Sequence, residues 1–542
     1  MNFLHFFLYC CSLGAKTDRN AHPHEDHSHR YAIVHNGAIF NSSELRTKLI
    51  KDGYRFLSET DTEVIVQLIS HYTATQGLDT IGAIKRAQQD LEGTWGLVLL
   101  DRSTPDRLYV TTNGSPLLIG IGQGEMFVAS EAHAFAQFTS SYIPLVDGEV
   151  AVITSTSHSL DDSRIEEVEG ERVETSPAPH PYWTIKEIME QPEAILRALT
   201  YGARFQSEDQ VKLGGLDAAR SRLMSIHHLL ITGCGTSWHA GEFGARLFRH
   251  LRAVETVRAI DSAECLLEDF PPANGGLLAL SQSGETKDVH RALLTATELG
   301  VPVFSVVNRV RSMIARFTNC GVYLNAGRET AVASTKAFTC QVIVLALVAV
   351  WFAQQRNLEP DRRRRLIESL HRSSTCVGMV LRRQHPLCRE IAVKILHATS
   401  AFVLGKGFAE PIAREGALKI KEITYVHAEG YPGGALKHGP FALIEPGTPI
   451  FLICPDDQHL PFMQSVAAQV HSRGAFVVVI TDSPDHPSWE GVVNVTIPIP
   501  SNGVLTALLA VIPLQLIAYE LSVLKKIDPD HPRALAKTVT VD

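Results

Sequence analysis

Glu415, Lys419 and Glu422 lie at spacings of four and three within the run IAREGALKIKEITYV, and Lys437-His438-Gly439 follows in a glycine-rich loop. In a helix those offsets stack the first three side chains on one face. A carboxylate, an ammonium and an imidazole around one turn make a proton-transfer site, since each can hold or release a proton as charge develops. Taken alone, a Glu–Lys spacing of four marks an exposed, salt-bridged helix face. The apolar residues flanking this trio argue against a merely solvated surface.

A strand and a turn must present that helix. Ala401 to Leu404 is an apolar run that breaks at Gly405-Lys406-Gly407, and the helical pattern starts after Pro411. The same arrangement occurs earlier in the chain. Strand-like runs end at Thr232, Leu280 and Val307, then again at Leu404, Ile453 and Ile480, each pair separated by about 170 residues. Helical segments alternate with the runs, which predicts two tandem doubly wound parallel sheets with ligands bound at the strand C-termini. In the first repeat, GCGTS (Gly233 to Ser237) and SQSGET (Ser281 to Thr286) follow two of those strands. Glycines and small hydroxyl residues at a strand-to-helix turn leave backbone N–H groups at a positive helix end, where phosphate is favoured. The nucleotide-binding pattern G-x-x-x-x-G-K-[ST] is absent, so a nucleoside triphosphate is not implied.

Composition narrows the class further. The chain has 542 residues, 45% hydrophobic and 20% charged, with a formal net charge of −8. These values describe a globular protein of about three domains and do not favour a nucleic-acid partner. Arg362 to Arg365 reads as a solvated helix end. The nine cysteines form neither a disulfide framework nor a zinc pattern, and a reducing, cytoplasmic compartment fits them best. The apolar runs Val342 to Phe352 and Val504 to Leu524 read as buried helices, one too short to span a membrane and the other interrupted by Pro513, Gln515 and Glu520. The opening MNFLHFFLYCCSLGAK has no basic segment and a poor cleavage site, so a displaced start is expected there in preference to a signal peptide.

The segment REGALKIKEITYVHAEGYPGGALKHGP and the tail PRALAKTVTVD resemble the glutamine–fructose-6-phosphate aminotransferase (isomerizing) family, and the likeness reaches back to about residue 19. The resemblance implies an α/β chain: an incomplete N-terminal-nucleophile (αββα) amidotransferase domain, then two sugar-isomerase (SIS) domains. The expected boundaries are 1–18 for a non-family start, 19–160 for the amidotransferase domain, 161–200 for a linker, 201–360 and 375–530 for the SIS domains, and 531–542 for a catalytic tail. It assigns Ser281, Gln282, Ser283 and Thr286 to the 6-phosphate, with Thr236 and Ser237 beside it, and Val332 and Ser334 to the sugar. His438 would open the ring and Glu422 shuttle the proton. Lys537 would form a Schiff base with the keto carbon, Lys419 stabilise the enolamine, and Glu415 orient groups at the ring oxygen. Ala435 departs from the family, which commonly has an acidic residue there.

Those roles suit the residue types. Imidazole titrates near neutrality, a carboxylate can carry a proton between adjacent carbons, and an amine freed by burial can attack a ketone. No cofactor or metal is implied. The substrates would be fructose 6-phosphate and glutamine or ammonia, without nucleic acid or membrane. The expected assembly is a homodimer through the SIS domains in which His438 reaches the neighbouring copy's site.

In the N-terminal region Tyr31 to Val34 is a predicted strand running into a turn at Asn36-Gly37, and SETDTE (Ser58 to Glu63) opens a helix with capping-box chemistry. NAHPH, HNG and SETDTE resemble the family's glutamine site, which implies oxyanion-hole groups at Asn36 and Gly37 and an amino-group ligand at Asp61. The family's nucleophile is a cysteine at the mature N-terminus. Residue 2 is Asn, and Cys10-Cys11 is followed by Ser-Leu-Gly. The expectation is therefore a truncated glutaminase half lacking its nucleophile, its glutamine-carboxylate-binding Arg-Trp segment and its first strands. Two other readings stand beside the complete enzyme: an ammonia-dependent synthase or sugar-phosphate isomerase, and a non-catalytic sugar-phosphate-binding regulator.

Overall fold

A computed structural model of the chain describes residues 17–130, 134–135, 137–167, 176–271, 273–535 and 537; Cys10 and Cys11 and residues 168–175 of the expected linker lie outside them. The described residues form two units, one within Met1–Thr175 and one within Ser176–Thr538.

The first unit contains β1 (His24–Glu25), β2 (Tyr31–Ile39), α1 (Ser42–Lys51), α2 (Asp61–Gln76), α3 (Thr80–Asp90), β3 (Gly93–Asp101), β4 (Leu108–Asn113), β5 (Leu118–Ile121), β6 (Met126–Ala129), β7 (Ser141–Pro144), β8 (Val150–Ile153) and β9 (Glu166–Glu167). One antiparallel sheet has the order β1-β2-β3-β4-β8 and the other β6-β5-β7-β9. Successive residues of β3 face opposite ways. Leu97 and Leu99 pack with Leu45, Val64 and Leu68 of the helices, whereas Val98 packs with Val110, Leu117 and Ile119 towards the second sheet. The layers run helix, sheet, sheet.

Two expectations for this unit are corrected. Asn36-Gly37 is not a turn: β2 continues to Ile39, with Asn36 opposite Gly96 and Gly37 opposite Trp95. The ladder with β3 runs unbroken through both residues, and that pairing overrides the local turn preference. Glycine is needed at position 37 because a Cβ there would lie 2.1 Å from the Thr94 carbonyl oxygen. Residues 161–200 are not simply a linker either. Glu166–Glu167 pairs with β7, and 183–198 fold into the second unit.

The second unit opens with α4 (Trp183–Met189), α5 (Gln191–Ala198), α6 (Gly214–Asp217) and α7 (Arg220–Leu223). The first repeat continues through β10 (His228–Gly233), α8 (Thr236–His250), β11 (Thr256–Asp261), β12 (Gly275–Ser281), α9 (Lys287–Glu298), β13 (Val303–Val307), α10 (Met313–Thr318), β14 (Gly321–Tyr323), α11 (Lys336–Gln355) and α12 (Pro360–Lys394). The second comprises β15 (Ser400–Gly405), α13 (Ala409–Thr424), β16 (His427–Pro432), β17 (Pro449–Ile453), α14 (Leu460–His471), β18 (Phe476–Thr481), β19 (Val495–Pro498), α15 (Thr506–Leu509) and α16 (Val511–Leu524).

Both sheets are parallel and share one topology, β11-β10-β12-β13-β14 and β16-β15-β17-β18-β19. The order reverses between β10 and β12, and again between β15 and β17. A doubly wound sheet binds ligands at that reversal, beyond the strand C-termini. The two apolar runs are core helices: 94% of the most apolar window in α11 is buried, and 89% of that in Gly503–Leu524. Gly416 permits α13 to lie close on α16, since a Cβ there would meet Leu514 Cδ1 at 2.3 Å. The arginine run corrects another expectation. Arg363 is buried and pairs with Asp209 at 3.1 Å, an acidic partner that offsets its unfavourable place near a helix N-terminus.

Candidate functional site

The loops after β10 and β12 stand at the first reversal. Gly235 adopts φ 52°, which turns the chain directly into α8 at Thr236. After β12, Ser281 Oγ accepts the Gly284 N–H at 2.9 Å and lies 2.9 Å from Thr286 Oγ1, while Ser283 Oγ accepts the Glu285 N–H at 3.1 Å. Gly284 has φ +69°, and a Cβ there would lie 1.9 Å from Ser312 Oγ. The loop is thus preshaped before any ligand arrives. Gln282 is half-buried beside it. Ser237 faces the interior, where its hydroxyl accepts from Gln341 Nε2 at 2.9 Å.

Helix α13 supplies charge to the same place. Lys419 Nζ lies 3.3 Å from Glu415 Oε1 and 2.6 Å from Glu422 Oε2. Glu415 and Lys419 are 0% and 1% exposed, so this is no solvated helix face. Contacts from α8 cross to them: Lys419 Nζ donates to Thr236 Oγ1 at 3.1 Å, Thr236 Oγ1 donates to Glu415 Oε1 at 3.2 Å, and His239 Nδ1 lies 2.9 Å from Glu415 Oε2. Burial by itself would lower the Lys419 pKa, but Glu415 and Glu422, with a further contribution from Glu329, raise it above the ordinary lysine value. Lys419 is a fixed buried cation between two carboxylates.

The tail brings the final candidate. Lys537 Nζ lies 2.8 Å from Glu329 Oε2. Glu329 also accepts from Ser334 Oγ at 2.7 Å, Thr335 N–H at 2.8 Å and Ala337 N–H at 3.1 Å. Burial would raise its pKa, yet Lys537 and these donors hold it at about 2. Val332 N–H donates to the Asp530 carbonyl at 3.2 Å. The segment carrying Val332 and Ser334 therefore lies against the tail.

His438 is not drawn into this cluster. It is exposed on the 3₁₀ turn Ala435–His438, and no hydrogen bond or ion pair joins it to the others among the described residues. In the first unit, Asp61 begins α2 and its Oδ2 accepts the Ile39 N–H at 2.8 Å, which brings it to the end of the strand bearing Asn36 and Gly37. Thr60 caps α2, and Glu63 Oε2 reaches back to Ser58 N–H at 2.6 Å.

Several participants were not singled out from sequence. His239 lies three residues beyond Thr236, one helical turn away on the same face, a spacing that could have flagged it. Glu329 stands three residues before Val332. Nothing local marks Asp530 or Glu187, whose partners are distant in sequence. His22, His24 and His35 gather around Thr60 and Thr62: His22 Nε2 and His35 Nδ1 each lie 3.0 Å from Thr62 Oγ1, and His24 Nε2 lies 3.1 Å from Thr60 Oγ1.

Comparison with known proteins gives a consistent picture. A glutamine amidotransferase domain model matches residues 12–137, and a SIS domain model matches 222–351 and 394–525. The chain is 38% identical over 538 residues to glutamine–fructose-6-phosphate aminotransferase (isomerizing) of Chlorobaculum tepidum, covering 98% of this chain and 87% of that protein. It is 36% identical over 544 residues to the protein of the same name from Thermococcus kodakarensis, with the same coverage. Among solved structures, the C-terminal domain of glucosamine-fructose-6-phosphate aminotransferase from Francisella tularensis matches at TM-score 0.61 and 30% identity, over 66% of this chain and all of that one. Tagatose-6-phosphate ketose/aldose isomerase from Escherichia coli shares the fold at TM-score 0.53 and 18% identity, over 67% of this chain and 99% of that one.

Proposed function

The chain belongs to the glutamine–fructose-6-phosphate aminotransferase (isomerizing) family, and we propose that its second unit converts fructose 6-phosphate and ammonia into glucosamine 6-phosphate using its own side chains. The observation that carries this reading is the crossing of α8 and α13, where Thr236 and His239 meet the buried pair Glu415 and Lys419, with Glu422 on the far side of the lysine.

The phosphate rests on Ser281, Ser283 and Thr286, with N–H groups at the starts of α8 and α9 turned towards it. Lys537 gives up its proton to solvent and its amine attacks C2 of the open-chain ketose; a C–N bond forms and water leaves. Ammonia then displaces the lysine, giving the C2 imine. Glu422 takes a proton from C1, the electrons move to form an enolamine, and the proton returns to C2, leaving an aldehyde at C1. Lys419 stabilises the negative charge that develops during this transfer. Glu415, held by His239 and Thr236, fixes Lys419. His438, exposed on its turn, opens the sugar ring in a second copy of the chain, so the working form is a homodimer. In the first unit, Asn36, Gly37 and Asp61 form part of a glutamine site. The cysteines among the described residues are free, most of them buried, which suits a reducing cytoplasm.

Reductive trapping tests the reading. Borohydride added with fructose 6-phosphate should leave a covalent adduct on Lys537. Lys537→Met should abolish both the adduct and ammonia-dependent product formation while sugar-phosphate binding persists. An unmodified Lys537 peptide with bound substrate would overturn the Schiff-base step; a regulator that only binds phosphate would give that result.

A further inference from the structure

Lys537 is seated by more than its ion pair. A circuit of hydrogen bonds surrounds it, all within the second unit. The Asp530 carboxylate accepts the Trp183 and Thr184 N–H groups at 2.8 and 2.7 Å, which caps α4. Farther along α4, Glu187 Oε1 accepts the N–H groups of Thr330 and Ala331, the latter at 3.3 Å. The circuit closes through Val332 N–H, which donates to the Asp530 carbonyl, and through Glu329, which holds Lys537. Helix α4 thus grips both the loop beneath the tail and the start of the tail, although no step above uses it.

We propose that Glu187 is a positioning residue for Lys537: by holding Thr330 and Ala331 it sets the Glu329 carboxylate, and through it the amine, where the amine can reach the keto carbon. This rests on the Schiff-base reading given above. Glu187 is 1% exposed, and its Oε2 meets no hydrogen-bond partner among the described residues. The charged groups facing it are Glu329, Lys537 and Lys336; the nearby Asp530 carboxylate is engaged with the first turn of α4.

Burial, and next the charge of Glu329, push the Glu187 carboxyl up to about 8 against the pull of Lys537 and Lys336. Near neutral pH it is therefore mostly an uncharged acid. It accepts two backbone donors without setting a second negative charge beside the lysine. As pH rises past about 8 it ionises, and a pair of carboxylates then holds the ammonium more firmly.

The test is cyanoborohydride trapping of Lys537 with saturating fructose 6-phosphate from about pH 6.5 to about 9. The full-length wild-type chain is compared with Glu187→Gln and Glu187→Ala, with calorimetric sugar-phosphate affinity alongside. Gln keeps the acceptor and never ionises, so its trapping rate should match wild type near neutrality and exceed it increasingly above pH 8. Ala should trap at least about tenfold more slowly while affinity changes less than about threefold, a split that separates positioning from binding. An Ala variant that traps at the wild-type rate overturns the proposal. If Ala fails to fold, a Gln-to-wild-type ratio that stays flat across the pH range overturns it. Absence of any adduct in the wild type would instead remove the Schiff-base reading, and this proposal with it.

Discussion

His239 and Glu415 are 176 residues apart in sequence, yet Nδ1 of one lies 2.9 Å from Oε2 of the other. They belong to different repeats, so neither sheet alone can complete the site. The contact joins α8 of the first repeat to the charged helix α13 of the second. It also fixes the carboxylate that steadies Lys419.

Removing Glu415 should damage stability and chemistry together. Deleting one member of a buried ion pair costs ~3–5 kcal/mol, because the partner is left undercompensated. Glu415→Ala should lose stability of that order in urea unfolding. Lys419→Met removes the cation itself and should slow ammonia-dependent turnover by ~10²–10³-fold, the usual effect of losing one preorganised charge-stabilising donor. Near-normal turnover in a folded Lys419→Met chain would remove Lys419 from the chemistry.

If the loop after β12 carries the phosphate, it should fail through Gly284. A left-handed conformation costs a residue bearing Cβ ~1–2 kcal/mol, and the added carbon would also strike Ser312 Oγ. Gly284→Ala should therefore raise the apparent KM for fructose 6-phosphate about tenfold with kcat little changed. Unchanged KM would show that the loop does not carry the phosphate.

Exposure of His438 bears on assembly. If His438 completes a neighbour's site, a His438→Ala chain mixed and re-equilibrated with a Lys537→Ala chain should regain part of the activity, since one site per mixed dimer contains both residues. Mixtures as inactive as either parent would make the site self-contained.

The first unit should weaken in mild acid. Burial, with smaller effects from His24 and His35, lowers the His22 pKa from 6.5 to about 4, and His24 and His35 are also lowered. Between about 6.5 and about 4 the unfolded chain binds more protons than the folded one, so stability falls as pH falls through that window. Hydrogen-exchange protection of peptides within 17–167, taken relative to the intrinsic rate at each pH, should fall as pH falls through it, and His22→Gln should flatten the change. Protection independent of pH there would show that these histidines do not titrate on unfolding.

Much of the second unit is legible in the chain because its signals are local. Apolar strands ending in Gly- and Ser-rich turns declare the two parallel sheets, and spacings of four and three put Glu415, Lys419 and Glu422 on one helix face before any contact is known. Tertiary structure decided what those residues face. Burial of Glu415 and Lys419 turns an apparent surface salt bridge into an interior one, and Thr236, His239, Glu329 and Glu187 join by contacts between segments far apart in sequence. Ladder pairing made strand of Asn36-Gly37 against its local turn preference. Lys537 is an ordinary tail lysine by composition, and only its 2.8 Å approach to Glu329 gives it a place beside the segment carrying Val332 and Ser334. Periodicity is a property of neighbouring residues, whereas charge pairing and desolvation depend on which distant segments the fold presses together.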